Sequence, residues 1–192
     1  MISSIMELNQ INAQEDEDAV LVKKAKRDPT AFASIYRKYL EQVYYYLMAR
    51  VHERSEAEDL TSQVFLEALE GLASYRDDGN FPAWLFTIAR RRAVDYHRRW
   101  KKPEVQMQTA QDALDPDQDV LAKILDSEDL HTIQDLIAGL EEEERELLRL
   151  RFAAGLKFSD MAALLKRKES AVKMNLYRLL SKLRNQLEAQ NV

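Results

Sequence analysis

Over most of the chain the apolar positions fall at steps of three and four, the repeat of a helix buried along one side. Phe32, Ile35, Tyr36, Leu40, Val43, Tyr44 and Leu47 trace one such stripe, predicting a helix that opens at Asp28-Pro29 and runs to about Val51. Asp28 suits the capping position and Pro29 the first turn. A shorter helix over Glu15 to Arg27 precedes it. Ser55 and Glu58 have capping-box spacing and start a third helix that continues through Leu72. Its inward side is Leu60, Val64, Phe65, Ala68 and Leu69; Asp59, Ser62, Gln63 and Glu67 lie opposite. Tyr44, Tyr45 and Tyr46 point in different directions, with Tyr44 expected in the core and at least one of the others outside. Ser74 to Asn80 reads as a loop. Asn80 then caps a fourth helix that has Pro82 in its first turn, Trp84, Leu85, Ile88, Ala89 and Val94 on its apolar side, and Pro103 at its end.

No stripe is sustained again until about residue 129. Helices are then predicted over about 129–138, 141–153, 159–166 and 170–188, with Gly155 closing the second and Ser159 opening the third. Four glycines and four prolines in 192 residues, with few alternating β-branched runs, point away from sheet. The expected fold is all-α: two small helical domains joined by an acidic linker, the second containing a helix-turn-helix. A flexible tail spans 1–14, the first domain 15–102, the linker 103–127 and the second domain 128–192.

Charge changes the picture. The net −5 hides a segregated pattern: residues 81–102 hold seven Lys or Arg against one acid, and 147–192 hold ten against three. Residues 103–146 hold two against fourteen. Two basic blocks on an acidic chain concentrate the local potential that a phosphate backbone feels. The acidic stretch between them is placed to mask both DNA faces until a partner draws it away. The absence of cysteine excludes disulfides and thiolate metal sites. His52, His97 and His131 are far apart in sequence and lack a nucleophile or metal-partner pattern, so no catalytic residue, metal or cofactor is expected. The acidic run Glu141 to Glu144 reads as a solvated first turn stabilised by the helix dipole. No run approaches the roughly 18 apolar residues of a membrane span, and the N-terminus lacks an export signal. The protein is therefore expected to be cytoplasmic, with no membrane insertion.

The most specific local signal is FSDMAALLKRKESAVKMNLYRLL, Phe158 to Leu180. Ala162, a turn about four residues later, and Val172 ten residues beyond the alanine have helix-turn-helix spacing. The alanine permits close approach of two helices, the valine fills the angle between them, and the second helix is free to enter a major groove. A plain helical hairpin satisfies the same spacing. Lys166 stands where such turns usually have glycine. In the other basic block, Phe81 to Lys102, a helix with one apolar and one cationic side follows a polar loop. This pairing offers cations for phosphates, and rings or amides for exposed bases. Trp100 is open to either stacking on a base or burial.

The runs DLTSQVFLEAL, FPAWLFTIARRRAVDYHRR and LEEEERELLRLRFAAGLKFSDMAALL, followed by SAVKMNLYRLLSKLR, resemble the extracytoplasmic-function (ECF) group of bacterial sigma factors in order, spacing and total length. The resemblance covers about residues 15 to 190. It implies a first domain that docks on the β′ clamp helices of core RNA polymerase through Asp59, Ser62, Gln63 and Glu67. It implies recognition and opening of the promoter −10 element by Tyr75, Arg76, Asn80, Arg90, Arg91, Asp95, Arg98 and Arg99, the loop taking a flipped-out base. A second domain would read the −35 element through Arg167, Lys168, Ser170, Lys173, Met174, Tyr177 and Arg178 and touch the β flap. An anti-sigma factor is a further implied partner. The chain departs from the family pattern at Ser62-Gln63, Arg91, Lys166 and Arg167, which leaves the clamp contacts and both promoter preferences open. A regulator that never touches polymerase, or a helical nuclease, would leave the Asp59 to Leu69 surface unexplained or lack its clustered carboxylates.

Overall fold

The computed structural model describes residues 17–76, 80–100 and 135–190, and these are helical throughout apart from short turns. Helix α1 covers 17–27. A short 3-10 turn, Pro29–Ala31, with Asp28 accepting from the Thr30 N–H at 2.9 Å, leads into α2, Phe32–Val51. Helix α3 is Arg54–Gly71 and α4 is Phe81–Trp100. The C-terminal half begins with a helical turn at 135–138, followed by α5, Glu142–Leu148. A π turn over Arg149–Ala153 extends α5, and then come α6, Phe158–Leu165, and α7, Glu169–Gln190. The tail and most of the acidic linker lie outside the described residues. No described helix is long and apolar enough to cross a membrane.

Helix α2 is the axle of the fold. Ile35, Tyr39, Val43, Tyr46 and Leu47 along it are buried against Leu60, Val64, Phe65 and Ala68 of α3 and Phe81, Leu85, Phe86 and Ala89 of α4. Edge-on ring pairs give the packing its geometry, among them Tyr46 with Phe86 at 5.5 Å and Phe32 with Phe65 at 6.4 Å. In the C-terminal half Leu147, Leu150, Leu156, Met161, Val172 and Leu176 are buried. They belong to the same continuous apolar cluster as the first half. The π turn packs on α2 and α6 packs on α4, so the two helical units form one body rather than two separated by a linker.

Several sequence expectations need correcting. The third helix is capped by Glu53, whose carboxylate accepts from the Ser55 and Glu56 N–H groups at 3.0 and 2.7 Å. Glu58 instead pairs with Arg54 at 3.0 Å, so the Ser55–Glu58 box does not form. Tyr36, Leu69 and Val94, assigned inward, are exposed, and Tyr39 takes the core position next to Tyr36. Tyr46 is the fully buried tyrosine of the triplet, Tyr44 only borders the core, and Tyr45 is the exposed one. Ser159 does not open α6; Lys157 holds that position. The expected helix over 141–153 changes register at Arg149, where the backbone widens into the π turn and closes an Ala154 N–H to Arg149 carbonyl bond of 2.8 Å.

Candidate nucleic-acid and polymerase interface

Asn80 precedes α4 as expected, its carbonyl accepting from the Trp84 N–H at 3.1 Å, and Pro82 occupies the first turn. Residues 77–79 of the loop lie outside the described residues. Arg76 is exposed beside them. Tyr75 is not: it is only 6% exposed and packs against Phe81 and Trp84 with ring centroids 5.5 and 4.9 Å apart. Lys26 of α1 lies over its ring and donates to its carbonyl. In this arrangement Tyr75 braces the loop from beneath and offers no free ring face to a base. An open depression of ≈ 430 Å³ borders the loop, lined by Glu67, Gly71, Ser74, Trp84, Thr87 and Arg91. Gly71 is required there, because a Cβ on it would stand 3.3 Å from the Trp84 ring.

The cations of α4 divide into two sets. Arg98 and Arg99 project from its last turn into solvent, with Asp95 only 3.2 Å from Arg98. Arg91 and Arg92 both pair with Glu67 of α3. Glu67, expected at the clamp surface, is therefore joined to Arg91, expected at DNA. Arg90 stands apart: its Nε lies 3.2 Å from the carboxylate of Glu146 in the other half of the molecule. On α3, Asp59, Ser62 and Gln63 are exposed on one face. Leu66, 59% exposed, falls on that face one turn further on. Sequence reading passed over Leu66 because it lies outside the buried stripe; its exposure is what marks it.

In the C-terminal half Ala162 and Val172 are buried where α6 meets α7, as the helix-turn-helix spacing requires. Lys166 closes α6 in the left-handed region at φ 53°, and the Arg167 N–H reaches the Ala162 carbonyl at 3.0 Å. Arg167, Lys168, Ser170, Lys173, Met174, Tyr177 and Arg178 are all exposed. The structure adds Arg151 and Phe158 to this face. The Phe158 ring carries the Arg151 guanidinium at 4.8 Å and the Lys173 ammonium at 5.8 Å, and Tyr177 borders it at 6.2 Å. Arg167 and Lys182 pair with Glu143 and Glu144 at 2.9 and 3.3 Å.

Between the halves lies a cluster that the sequence did not announce. Glu146, 4% exposed, accepts from Arg50 at 2.6 Å and from the Tyr46 hydroxyl at 2.8 Å. Glu142 reaches Arg149 at 2.8 Å, Arg145 at 3.1 Å and Arg50 at 3.4 Å. Burial works against ionised Glu142, but Arg149 and its neighbours outweigh it and hold the carboxyl below the usual range. Arg149 also donates to the Ala49 carbonyl at 3.1 Å, and His97 Nε2–H donates to the Arg50 carbonyl at 3.0 Å. The run Glu141 to Glu144 is thus more than a solvated first turn: Glu142, Glu143 and Glu144 each hold a cation. Among the described residues no group of His, Cys, Asp and Glu is arranged to hold a metal ion.

Two family descriptions match the chain, Sigma-70 region 2 over residues 35–102 and Sigma-70 region 4 over 130–183. The ECF RNA polymerase sigma factor BldN of Streptomyces coelicolor is 32% identical over 161 residues, covering 82% of this chain and 61% of BldN. The ECF factor SigK of Mycobacterium tuberculosis is 28% identical over 178 residues, covering 90% of this chain and 94% of SigK. CnrH, solved in complex with the cytosolic domain of CnrY, superposes with a TM-score of 0.65 at 21% identity over 90% of this chain and 97% of that one. The RpoE–NepR complex of Bartonella quintana gives 0.58 at 22% identity over 82% and 96%. These two solved structures share the fold. With both regions present in order, the N-terminal unit matching region 2 and the helix-turn-helix lying inside region 4, the chain belongs to the ECF group of the sigma-70 family.

Proposed function

We propose that this protein is a promoter-specificity factor, not an enzyme, which joins core RNA polymerase in the cytoplasm and directs initiation at promoters carrying its own −10 and −35 elements. The observation that carries this reading is the pairing of an exposed helix-turn-helix face, Lys173 to Arg178, with a second cationic helix that follows a loop and an open depression. The first suits duplex DNA, since a helix of this kind fits the major groove and its cations fix register on phosphates. The second suits strand opening: a flipped base costs a few kcal/mol of stacking, and a depression flanked by Arg76, Arg98 and Arg99 supplies a seat and counter-charge.

Asp59, Ser62, Gln63 and Leu66 form the face for the β′ clamp helices, with Leu66 as the apolar contact among polar ones. Glu67 acts one layer behind, holding Arg91 and Arg92 between the polymerase face and the DNA face. Arg151 and Phe158 extend the −35 surface. An anti-sigma factor is a natural partner, since the solved relatives named above are complexes of this kind.

The test is transcription from a promoter library by core polymerase with and without the chain. Start-site-specific transcripts that appear only with the chain, and fade when Leu66 is changed to Asp, are the expected result. An identical transcript set without the chain overturns the reading.

A further inference from the structure

We propose that Arg50 and Arg90 form a phosphate site on the N-terminal half, and that Glu146 occupies it in the closed chain, so that the carboxylate and a DNA backbone phosphate compete for the same cations. The inference rests on the reading of α4 as a DNA face. It adds Arg50, which ends α2 and which neither the sequence pattern nor the family match singles out.

Three features support it. Arg50 is 8% exposed, yet its only described side-chain partner within its own half is the Tyr46 hydroxyl, at 3.1 Å. Its acidic partners, Glu142 and Glu146, both come from the C-terminal half. Arg90 reaches the same carboxylate from α4, with its Nε near Oε1 while Arg50 donates to Oε2. Two guanidinia converging on one carboxylate from a single domain make a fork that fits the non-bridging oxygens of a phosphate equally well. Finally, a buried ion pair is a weak device for stability, because desolvation offsets most of its attraction. Apolar residues would join the halves as firmly. A carboxylate in this place makes the contact exchangeable for another anion.

The geometry also explains an asymmetry. The −35 face is exposed in the closed chain, whereas Arg90 of the −10 helix is held by Glu146 and α4 is packed against α6. Separation of the halves bares both arginines together, leaving two positive charges in need of an anion at the edge of α4.

Binding of a labelled mixed-sequence DNA with a duplex to single-strand junction, measured against salt with the full chain, tests this without knowledge of the promoter. Glu146→Gln removes the competing charge and is expected to tighten binding roughly ten-fold, about the worth of one charge-assisted hydrogen bond. Adding Arg50→Gln to Glu146→Gln should reverse most of that gain and lower the log–log salt slope by about 0.7–0.9, one phosphate contact. Arg50→Lys with Glu146→Gln keeps the charge without the fork, so its salt slope should recover while its affinity stays intermediate. These double variants carry no unpaired buried charge, so their fold does not depend on the lock.

A Glu146→Gln chain that binds like the wild type overturns the competition. A double variant with the affinity and slope of Glu146→Gln alone shows that Arg50 only holds the halves together, which also overturns the proposal. Arg98→Ala and Arg99→Ala report on the underlying reading. If they leave binding unchanged, the α4 face itself is misassigned; if they weaken it while Arg50 does not, the phosphate site alone fails.

Discussion

Lys166 adopts a backbone conformation that β-carbon sterics disfavour, φ 53° at the turn of the helix-turn-helix. A non-glycine residue there costs roughly 1–2 kcal/mol. Lys166→Gly should therefore raise the thermal midpoint without changing DNA affinity, and an unchanged or lower midpoint would show the turn to be relaxed already. On the recognition face, Lys173→Ala and Arg178→Ala should separate two kinds of contact. Loss of a base contact costs about 1–3 kcal/mol and relaxes preference at one position, whereas loss of a phosphate contact weakens all sequences alike and lowers the salt slope by about 1. Identical binding by both variants would remove this face from the −35 assignment. His97 offers a pH test. Burial, then the nearby Arg50 cation, hold it below the ordinary histidine range, although its bond to the Arg50 carbonyl pulls the other way. With the folded value below the unfolded value of about 6.5, the unfolded chain takes up the proton first. Stability is then complete above that value and falls as pH drops through it. The midpoint should decline between about pH 7.5 and 5.5, and less so in His97→Asn; equal declines would place the effect elsewhere.

Helices were legible in the sequence wherever one stripe faced one core, as in α2 and α4, and where Ala162 and Val172 fixed the angle between α6 and α7. Their ends were harder. Ser55 and Glu58 met the spacing rule, yet Glu53, two residues earlier, has a side chain long enough to reach two N–H groups and displaces the box. Glu53→Ala should therefore cost about 1 kcal/mol, and Ser55→Ala much less. The reverse order would restore the box. The inward assignments of Tyr36, Leu69 and Val94 failed for a common reason: the stripe on each helix is narrower than its apolar residues, and the surplus lies outside. Tyr75 failed in the opposite sense, because Phe81 and Trp84 enclose a ring that local sequence places in a loop. Glu146 could not be distinguished from four neighbouring glutamates by pattern alone. Only the approach of α5 to α2 gives it Arg50, some hundred residues away.

At the scale of the molecule, the closed form and promoter binding make opposed demands. Elements centred near −35 and −10 lie about 25 base pairs apart, roughly 85 Å of duplex at 3.4 Å per step. A compact chain of this length has a radius of gyration of only about 16 Å. The 34 residues between Trp100 and Asp135 would reach roughly 110 Å at full extension, enough for the halves to part. The chain contains no cysteine, so spin labels at Val20→Cys and Arg184→Cys report the separation cleanly. One short distance in the free chain should give way to a longer one on addition of core polymerase; an unchanged distribution would mean that both promoter elements are met in the closed form. The π turn at Arg149–Ala153 has a consequence for heredity. A widened turn of this kind is one residue more than the helix needs. Loss of a single codon there would let α5 run on as a regular helix, turning everything beyond it by about 100° and drawing it back about 1.5 Å. Substitutions along this surface can be absorbed one at a time. A one-codon deletion would instead re-aim the whole reading head, which makes chain length between Leu148 and Phe158 the quantity that descent has least freedom to vary.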